Sequence, residues 1–177
     1  MRTAGLAGAV VVLATALAPA PAHAACPRGW GSTPETGATM SSGVVTAVRA
    51  ARTACFDRLV VDVTRPVRGG YDVRYVSSVG EEGTGDPVPL RGAADLQVVV
   101  RAPAYDDRGR STYSPRDRRE LADVRGARTF RQVAWAGTFE GQTTLGLGVR
   151  ARLPFRVTAV TGPGGRSQLV VDVAHRW

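Results

Sequence analysis

Few residues in this chain could carry out catalytic chemistry. It contains two histidines, His23 and His175, and no lysine, so all 23 basic residues are arginines. Without lysine, Schiff-base chemistry, Ser-Lys hydrolysis and P-loop phosphate binding are excluded. A catalytic triad would have to use His175, which follows the last predicted strand, and a zinc site would lack enough His and free Cys ligands. The sequence therefore predicts no catalytic residue, no metal ion and no cofactor.

Carboxylates are the one catalytic option that remains. A glycosidase uses two carboxylates that come from distant parts of a chain, so no spacing in the sequence supports or excludes one. The candidates are Asp57, Asp62, Asp72, Glu81, Glu82, Asp86, Asp95, Asp106, Asp107 and Glu140. A carboxylate-dependent glycan hydrolase therefore stays open as an alternative function.

A surface that could hold a ligand is predicted in residues 142–150. The apolar Leu145, Leu147 and Val149 alternate with the small Thr144, Gly146 and Gly148, so one face of this strand is nearly bare backbone. Strand glycines mark places where another backbone, an aromatic ring or a ligand comes close. An aromatic residue of the protein itself fits the pattern equally well. If the occupant is instead a polar ligand such as a glycan, the candidate binding residues are Gln142, Thr144, Gly146, Gly148 and Arg150.

Residues 103–128 form the least strand-like region and add Tyr105 and Tyr113 as candidate ligand-binding residues. The region carries seven arginines and five acidic residues, which is mixed charge and typical of a solvated crossover as well as of a binding loop. Ser114, Pro115 and Asp117 are typical of a helix start, and Gly126 could end the helix. We therefore predict one short helix in this crossover.

The elements that must position these residues are β-strands. From Val44 onward, β-branched and aromatic residues follow period two in short runs separated by Gly, Pro and Asp. The pattern predicts an all-β fold, an antiparallel β-sandwich of about eight strands. In the second strand, Leu59, Val61 and Val63 should face the core. The predicted strands are 44–49, 56–64, 71–79, 96–102, 130–136, 143–150, 155–161 and 169–173.

The first 24 residues are predicted to be a secretory signal peptide. Arg2 precedes an apolar run of 15 residues, 4–18, whereas a membrane-spanning helix needs roughly 20. Ala22, His23 and Ala24 provide a signal-peptidase site, with cleavage between Ala24 and Ala25. A lipoprotein with a lipid on Cys26 is the alternative, but His23 stands where an apolar residue is usual. We expect a secreted protein, extracellular or associated with the cell wall, with no membrane anchor after processing.

Cys26 and Cys55 are the only cysteines, and in an exported chain they are expected to form a disulfide. A closed loop of about 30 residues would stabilise the fold by roughly 3 to 4 kcal/mol. The bond would tie a Gly-, Ser- and Thr-rich N-terminal arm, residues 25–43, to the β domain, residues 44–177.

Composition limits what the positive charge can mean. Hydrophobic residues make up 44% and charged residues 21%, which excludes a disordered chain and a multi-span membrane protein. The net charge is +8, but Lys, Ile and Asn are all absent, which indicates a GC-rich genome and makes the arginine excess partly a codon bias. We therefore predict no nucleic-acid partner.

Several ordered blocks together resemble a known family. The motif Leu-Val-Val-Asp-Val occurs at 59–63 and again at 169–173, and further blocks lie at 55–58, 70–76, 139–141, 146–149 and 154–157. As a set, they resemble the AMIN-like domain of exported actinobacterial proteins over residues 44–173. The resemblance implies a β-sandwich related to the AMIN domain, which targets cell-wall amidases and secretins to peptidoglycan or the envelope. It supplies no ligand-binding residues.

These observations predict a secreted, non-catalytic cell-envelope module that binds peptidoglycan or an anionic wall polymer. A positive protein attracts an anionic wall over long range, in a salt-sensitive way. Besides the hydrolase, the second alternative is an interaction domain that binds another exported protein through a sheet edge.

Overall fold

The computed structural model describes residues 26–177 and contains eleven β-strands. The predicted signal peptide and the cleavage site between Ala24 and Ala25 lie outside the described residues. The strands are β1 (Glu35–Gly37), β2 (Val45–Arg52), β3 (Phe56–Val63), β4 (Tyr71–Val76), β5 (Val79–Gly80), β6 (Pro87–Val88), β7 (Ala94–Val100), β8 (Phe130–Phe139), β9 (Gln142–Val149), β10 (Phe155–Thr161) and β11 (Ser167–Ala174).

Two antiparallel sheets face each other across one apolar core. The larger sheet has the order β1-β4-β7-β9-β8 and the smaller has the order β10-β11-β3-β2, while β5 and β6 form a separate hairpin. Alternate residues of each strand point inward, as period two requires. Leu59, Val61 and Val63 of β3 are at most 2% exposed, which confirms the predicted core face of this strand.

The predicted all-β antiparallel sandwich is confirmed, and each of the eight predicted strands corresponds to an observed one. The segment 71–79 differs in detail because the chain bends at Ser77 and Ser78, which separates β4 from β5. The sequence did not indicate β1 or the β5–β6 hairpin, because strands of two or three residues are too short to show a period.

The predicted helix in the 103–128 crossover is wrong. Residues 114–126 form turns and bends, and the only helical element within residues 26–177 is the 3₁₀ turn Pro163–Gly165. Leu121 donates its backbone N–H to the Val133 carbonyl (2.8 Å), and Trp135 donates to the Arg118 carbonyl (2.7 Å). The segment thus follows the outer edge of β8, whose backbone groups would otherwise be unpaired. These hydrogen bonds replace those of the expected helix.

The N-terminal arm packs on the sandwich. Its strand β1 pairs with β4, and the Gly31 carbonyl accepts the Phe155 N–H at 2.8 Å, at the start of β10. The predicted disulfide between Cys26 and Cys55 is confirmed, with Cα atoms 5.3 Å apart. The arm therefore contributes to both sheets.

The two copies of the Leu-Val-Val-Asp-Val motif pair with each other in the smaller sheet. β3 and β11 are neighbours, and Arg58 faces Asp172 while Asp62 faces Gln168. The Arg58 guanidinium binds both oxygens of Asp172 (2.6 and 2.8 Å), and Gln168 donates to Asp62 at 2.9 Å. In each copy, the aspartate binds the residue just before the other copy: Asp172 binds Arg58, and Asp62 binds Gln168. The two copies are therefore related by a local twofold axis.

No helix within residues 26–177 is long and apolar enough to cross a membrane.

Candidate functional site

The nearly bare face of β9 is occupied by the chain itself. Residues 79–92, here called the covering segment, run across it. The Thr144 hydroxyl donates to the Glu82 carboxylate. A Cβ atom at Gly146 would lie 3.0 Å from a methyl carbon of Leu90, and one at Gly148 would lie 2.0 Å from the Arg91 carbonyl oxygen. A ligand could reach these positions only after the covering segment had moved, so binding there stays a prediction.

The other predicted ligand residues do not form one group. Gln142 lies at the start of β9, where its side-chain oxygen accepts from Arg101 (3.1 Å), and nearby the Tyr105 hydroxyl accepts the Gly141 N–H (3.1 Å). The half-buried Tyr113 packs against Trp135, with ring centroids 5.6 Å apart. Arg150 lies beyond the opposite end of β9.

Arg150 borders a cavity of about 840 Å³ at the end of the sandwich where β3 and β10 begin and β9 and β11 end. We call this the arginine cavity. Its lining residues are Cys26, Pro27, Arg28, Gly29, Trp30, Ala54, Cys55, Arg128, Arg150, Pro154, Ala174, His175, Arg176 and Trp177.

Four arginines give this cavity its charge. Arg28, Arg128, Arg150 and Arg176 are exposed, and within residues 26–177 none of them forms an ion pair. No Asp or Glu of the described residues lines the cavity. By contrast, eight other arginines are paired with carboxylates: Arg49, Arg58, Arg74, Arg91, Arg110, Arg118, Arg125 and Arg156. Of the fourteen arginines within residues 26–177 that form no ion pair, four surround this one cavity, where their charge favours an anionic ligand.

Two tryptophans add apolar surface beside the arginines. The Trp30 ring lies between Phe56, with centroids 5.5 Å apart, and the Arg156 guanidinium, 4.6 Å from the ring centroid. These contacts hold its ring in place. Trp177 is 75% exposed. The cavity thus combines charged groups with aromatic surface, and both kinds of group occur in ligand sites.

The disulfide fixes one wall of the cavity. Five consecutive residues, from Cys26 to Trp30, line it, and Cys26 is bonded to Cys55 at the start of β3. At the other end of this wall, the Gly31 carbonyl is hydrogen-bonded to Phe155. The wall carries Arg28 and Trp30, so the disulfide positions two groups that a ligand would contact.

His175 anchors the floor of the cavity. Its Nε2 lies 3.1 Å from Oδ1 of Asp57, and its Nδ1 lies 3.2 Å from the Ala54 carbonyl oxygen. Asp57 is fully buried, and its other oxygen accepts the backbone N–H groups of Thr129 and Phe130 (2.5 and 3.0 Å). Both ring nitrogens face protein oxygens that accept hydrogen bonds, so neither is directed at a ligand.

Sequence reasoning missed most of this site. In the sequence, Arg128 lies within a region of mixed charge, and no motif sets Arg28, Trp30 or Arg176 apart. One available signal was the disulfide, because pairing Cys26 with Cys55 brings the following Arg28 and Trp30 to the start of β3. Nothing in the sequence indicated that Arg150 and Arg128 would meet them there.

Side chains that could bind a metal are not grouped in the described part of the chain. Within residues 26–177, no set of three or more His, Cys, Asp or Glu side chains is placed to hold an ion.

Comparison with known proteins gives one match. The family model described as the AMIN-like domain matches residues 43–175. No curated protein and no solved structure matches the chain. The matched span contains Arg128, Arg150 and His175 but not Arg28, Trp30 or Arg176, so the arginine cavity joins the family domain to residues on both sides of it.

Proposed function

The chain belongs to the AMIN-like domain family, which confirms the resemblance and suggests a cell-wall-related module. From this and from the arginine cavity, we propose that the protein is an exported, non-catalytic module of the cell envelope. Its ligand is an anionic wall polymer or peptidoglycan. The observation that carries the proposal is the set of four arginines without ion pairs around one cavity.

Electrostatics supports an anionic ligand. An unpaired guanidinium offers five N–H donors in a planar fork that matches carboxylate and phosphate groups. Four such groups around one cavity reinforce one another's potential, whereas an arginine already bound to a carboxylate contributes little. Within residues 26–177 no Asp or Glu side chain lines the cavity, so an anion that enters it meets no side-chain carboxylate of the lining.

The disulfide supports export, because such bonds persist in oxidising compartments. It also bears on the lipoprotein alternative. The sulfur of Cys26 is bonded to Cys55 and so is not available for a thioether to lipid. We accordingly propose removal of residues 1–24 and release of a protein without a membrane anchor.

The surroundings of the cavity support a binding role over hydrolysis. A glycosidase needs two carboxylates on either side of the scissile bond, roughly 5 to 9.5 Å apart. In the described part of the chain, no Asp or Glu lines the arginine cavity, and both ring nitrogens of His175 face protein oxygens. A bound glycan would therefore meet charged donors and aromatic faces there but no acid–base pair.

Retention on purified cell wall tests the proposal. We expect the protein to bind wall material at low salt and to be released at about 1 M salt, where the Debye length falls to about 3 Å. Arg128→Ala should reduce retention. The matched control is Arg110→Ala, which removes the same charge at an arginine paired with Asp106, outside the cavity.

Three results would contradict the proposal. Release of soluble sugars would indicate the hydrolase. Absence of retention would favour a protein partner. Equal loss of retention in Arg110→Ala and Arg128→Ala would show that only net charge matters and that the cavity is not the site.

A further inference from the structure

A second cavity adjoins the arginine cavity. A space of about 350 Å³ is lined by Arg52, Thr53, Ala54, Asp57, Gly126 and Arg128. Ala54 and Arg128 line both spaces. Arg128 therefore stands at the junction of two adjacent cavities, with arginines on either side of it.

The second cavity is also positive where a ligand could touch it. Arg52 is exposed and donates to the Gly126 carbonyl at 3.0 Å. Within residues 26–177, Asp57 is the one acidic residue of the lining, and it is fully buried. Its oxygens already face His175 and two backbone N–H groups, so its hydrogen-bonding positions are occupied within the protein.

We propose that the two cavities form one continuous binding track for a polyanionic chain, which spans Arg128 and places successive anionic groups in the two cavities. The proposal rests on the proposed function and specifies its ligand as a polymer with repeated negative charges.

The distribution of the arginines favours a chain over a single anion. Arg28, Arg150 and Arg176 line only the first cavity, and Arg52 lines only the second. An anion held in one cavity is therefore lined by one set and not by the other. A chain that is held in the first cavity reaches the second as an intramolecular event, at a high effective concentration. Affinity should therefore increase with chain length beyond what one cavity provides.

Two matched probe series test this proposal by calorimetry or fluorescence titration. One compares digalacturonate with decagalacturonate, which carry carboxylates, and the other compares pyrophosphate with long-chain polyphosphate. We expect the long member to bind at least about tenfold more tightly than the short one in one or both series. The series that binds identifies the anionic group as carboxylate or phosphate.

Two variants separate the cavities. Arg150→Gln should weaken binding of short and long chains alike, by about three- to tenfold, the effect of one charged contact. Arg52→Gln should weaken binding of the long chain by a similar factor, about three- to tenfold, and leave the short chain unchanged. Arg110→Gln is the control for net charge and should change neither. The hairpin that carries Arg110 contacts the Val45 end of β2 through Pro103 and Thr112, about 23 Å along the strand from Arg52.

Equal affinity for short and long chains would overturn the track, as would an equal effect of Arg52→Gln on both lengths. If wall material is retained and neither series binds, the track is refuted while the proposed function survives. If neither wall material nor the probes bind, both fail. A thermal midpoint unchanged by Arg52→Gln shows that its effect on binding is not a loss of folding.

Discussion

Adding a single methyl group to β9 tests whether the covering segment fills the face that a ligand would otherwise use. Gly146 and Gly148 lie two residues apart on the same face of one strand, and both are buried. Gly148→Ala and Gly146→Ala make the same chemical change, so they form a matched pair. They differ in the atoms that the new methyl group would contact.

At Gly148 the methyl group would lie 2.0 Å from the carbonyl oxygen of Arg91, which is backbone. The Arg91 N–H is bonded to the Gln132 side chain (2.7 Å), and the next residue but one, Ala93, donates to Val149 (2.8 Å). The backbone over Gly148 is therefore held on both sides of the clash. Overpacking of this kind costs about 3 kcal/mol.

At Gly146 the methyl group would meet the two terminal methyl carbons of Leu90 at 3.0 and 3.1 Å. Leu90 is partly exposed, so its side chain can rotate away. Replacing glycine by alanine also lowers the entropy of the unfolded chain, which stabilises the fold by about 0.4 to 1 kcal/mol. We expect the two effects to leave the stability of Gly146→Ala within about 1 kcal/mol of the original.

Thermal unfolding measures the difference. For a protein of this size each kcal/mol shifts the midpoint by about 2 to 4 °C, so Gly148→Ala should unfold about 6 to 12 °C below the original protein. Gly146→Ala should stay within about 4 °C of it. Equal midpoints for the two variants, or a larger loss at Gly146, would refute the described position of Leu90 and Arg91. If the folded Gly146→Ala also loses retention on the wall, the β9 face contacts the ligand after all.

Three further predictions follow from other contacts. Replacing both Cys26 and Cys55 by serine should lower the free energy of unfolding, measured with denaturant, by about 3 to 4 kcal/mol. It should also weaken wall binding by more than the loss of folded protein explains. Unchanged binding would show that the disulfide does not position the site. His175→Ala leaves the buried Asp57 carboxylate without its side-chain partner and should lower the free energy of unfolding by about 2 to 4 kcal/mol. If His175→Ala loses less stability than His175→Gln, whose amide can still donate to Asp57, this role of His175 is contradicted. Burial raises the pKa of Glu35, so the folded state favours its protonated form, and the stability that this group contributes is present at low pH and lost as the pH rises through that pKa. Glu35→Gln should therefore become more stable relative to the original protein as the pH rises from about 4 to 7. If the two proteins differ in free energy of unfolding by the same amount at both pH values, the effect of burial on Glu35 is refuted.

Strand positions and core faces could be predicted because they are local properties of the sequence. The alternation in β3 is enough to assign Leu59 and Val61 to the core. The helix prediction at Ser114 failed because its start signal is local, whereas the β8 edge that engages this segment comes from residues 130–139. The capping signal at Ser114 contributes only about 0.5 to 2 kcal/mol, whereas the observed segment gains backbone hydrogen bonds to β8.

The candidate site could be predicted only in part, for the same reason. The glycines of β9 correctly indicated a close approach of another group, but the sequence could not show that this group is Leu90 and Arg91. The arginine cavity depends on Arg28, Arg128 and Arg150, which are far apart in the chain and meet only because the strand ends converge. Their charge pattern along the sequence gives no sign of this.

The pairing of the two Leu-Val-Val-Asp-Val copies determines the order in which the fold can form. Arg58 and Asp172 are 114 residues apart, so β3 cannot gain its central neighbour until nearly all of the intervening chain has been synthesised. Until then, β3 pairs only with β2 and presents an open edge of unpaired backbone groups. Contacts over such distances close slowly, because a long loop must be ordered first. When β11 pairs with β3, the Arg58–Asp172 ion pair selects the register. A shift of β11 by two residues would keep the valines facing the core but would separate Asp172 from Arg58. The centre of the smaller sheet is therefore completed late in folding, and ion pairing fixes its register.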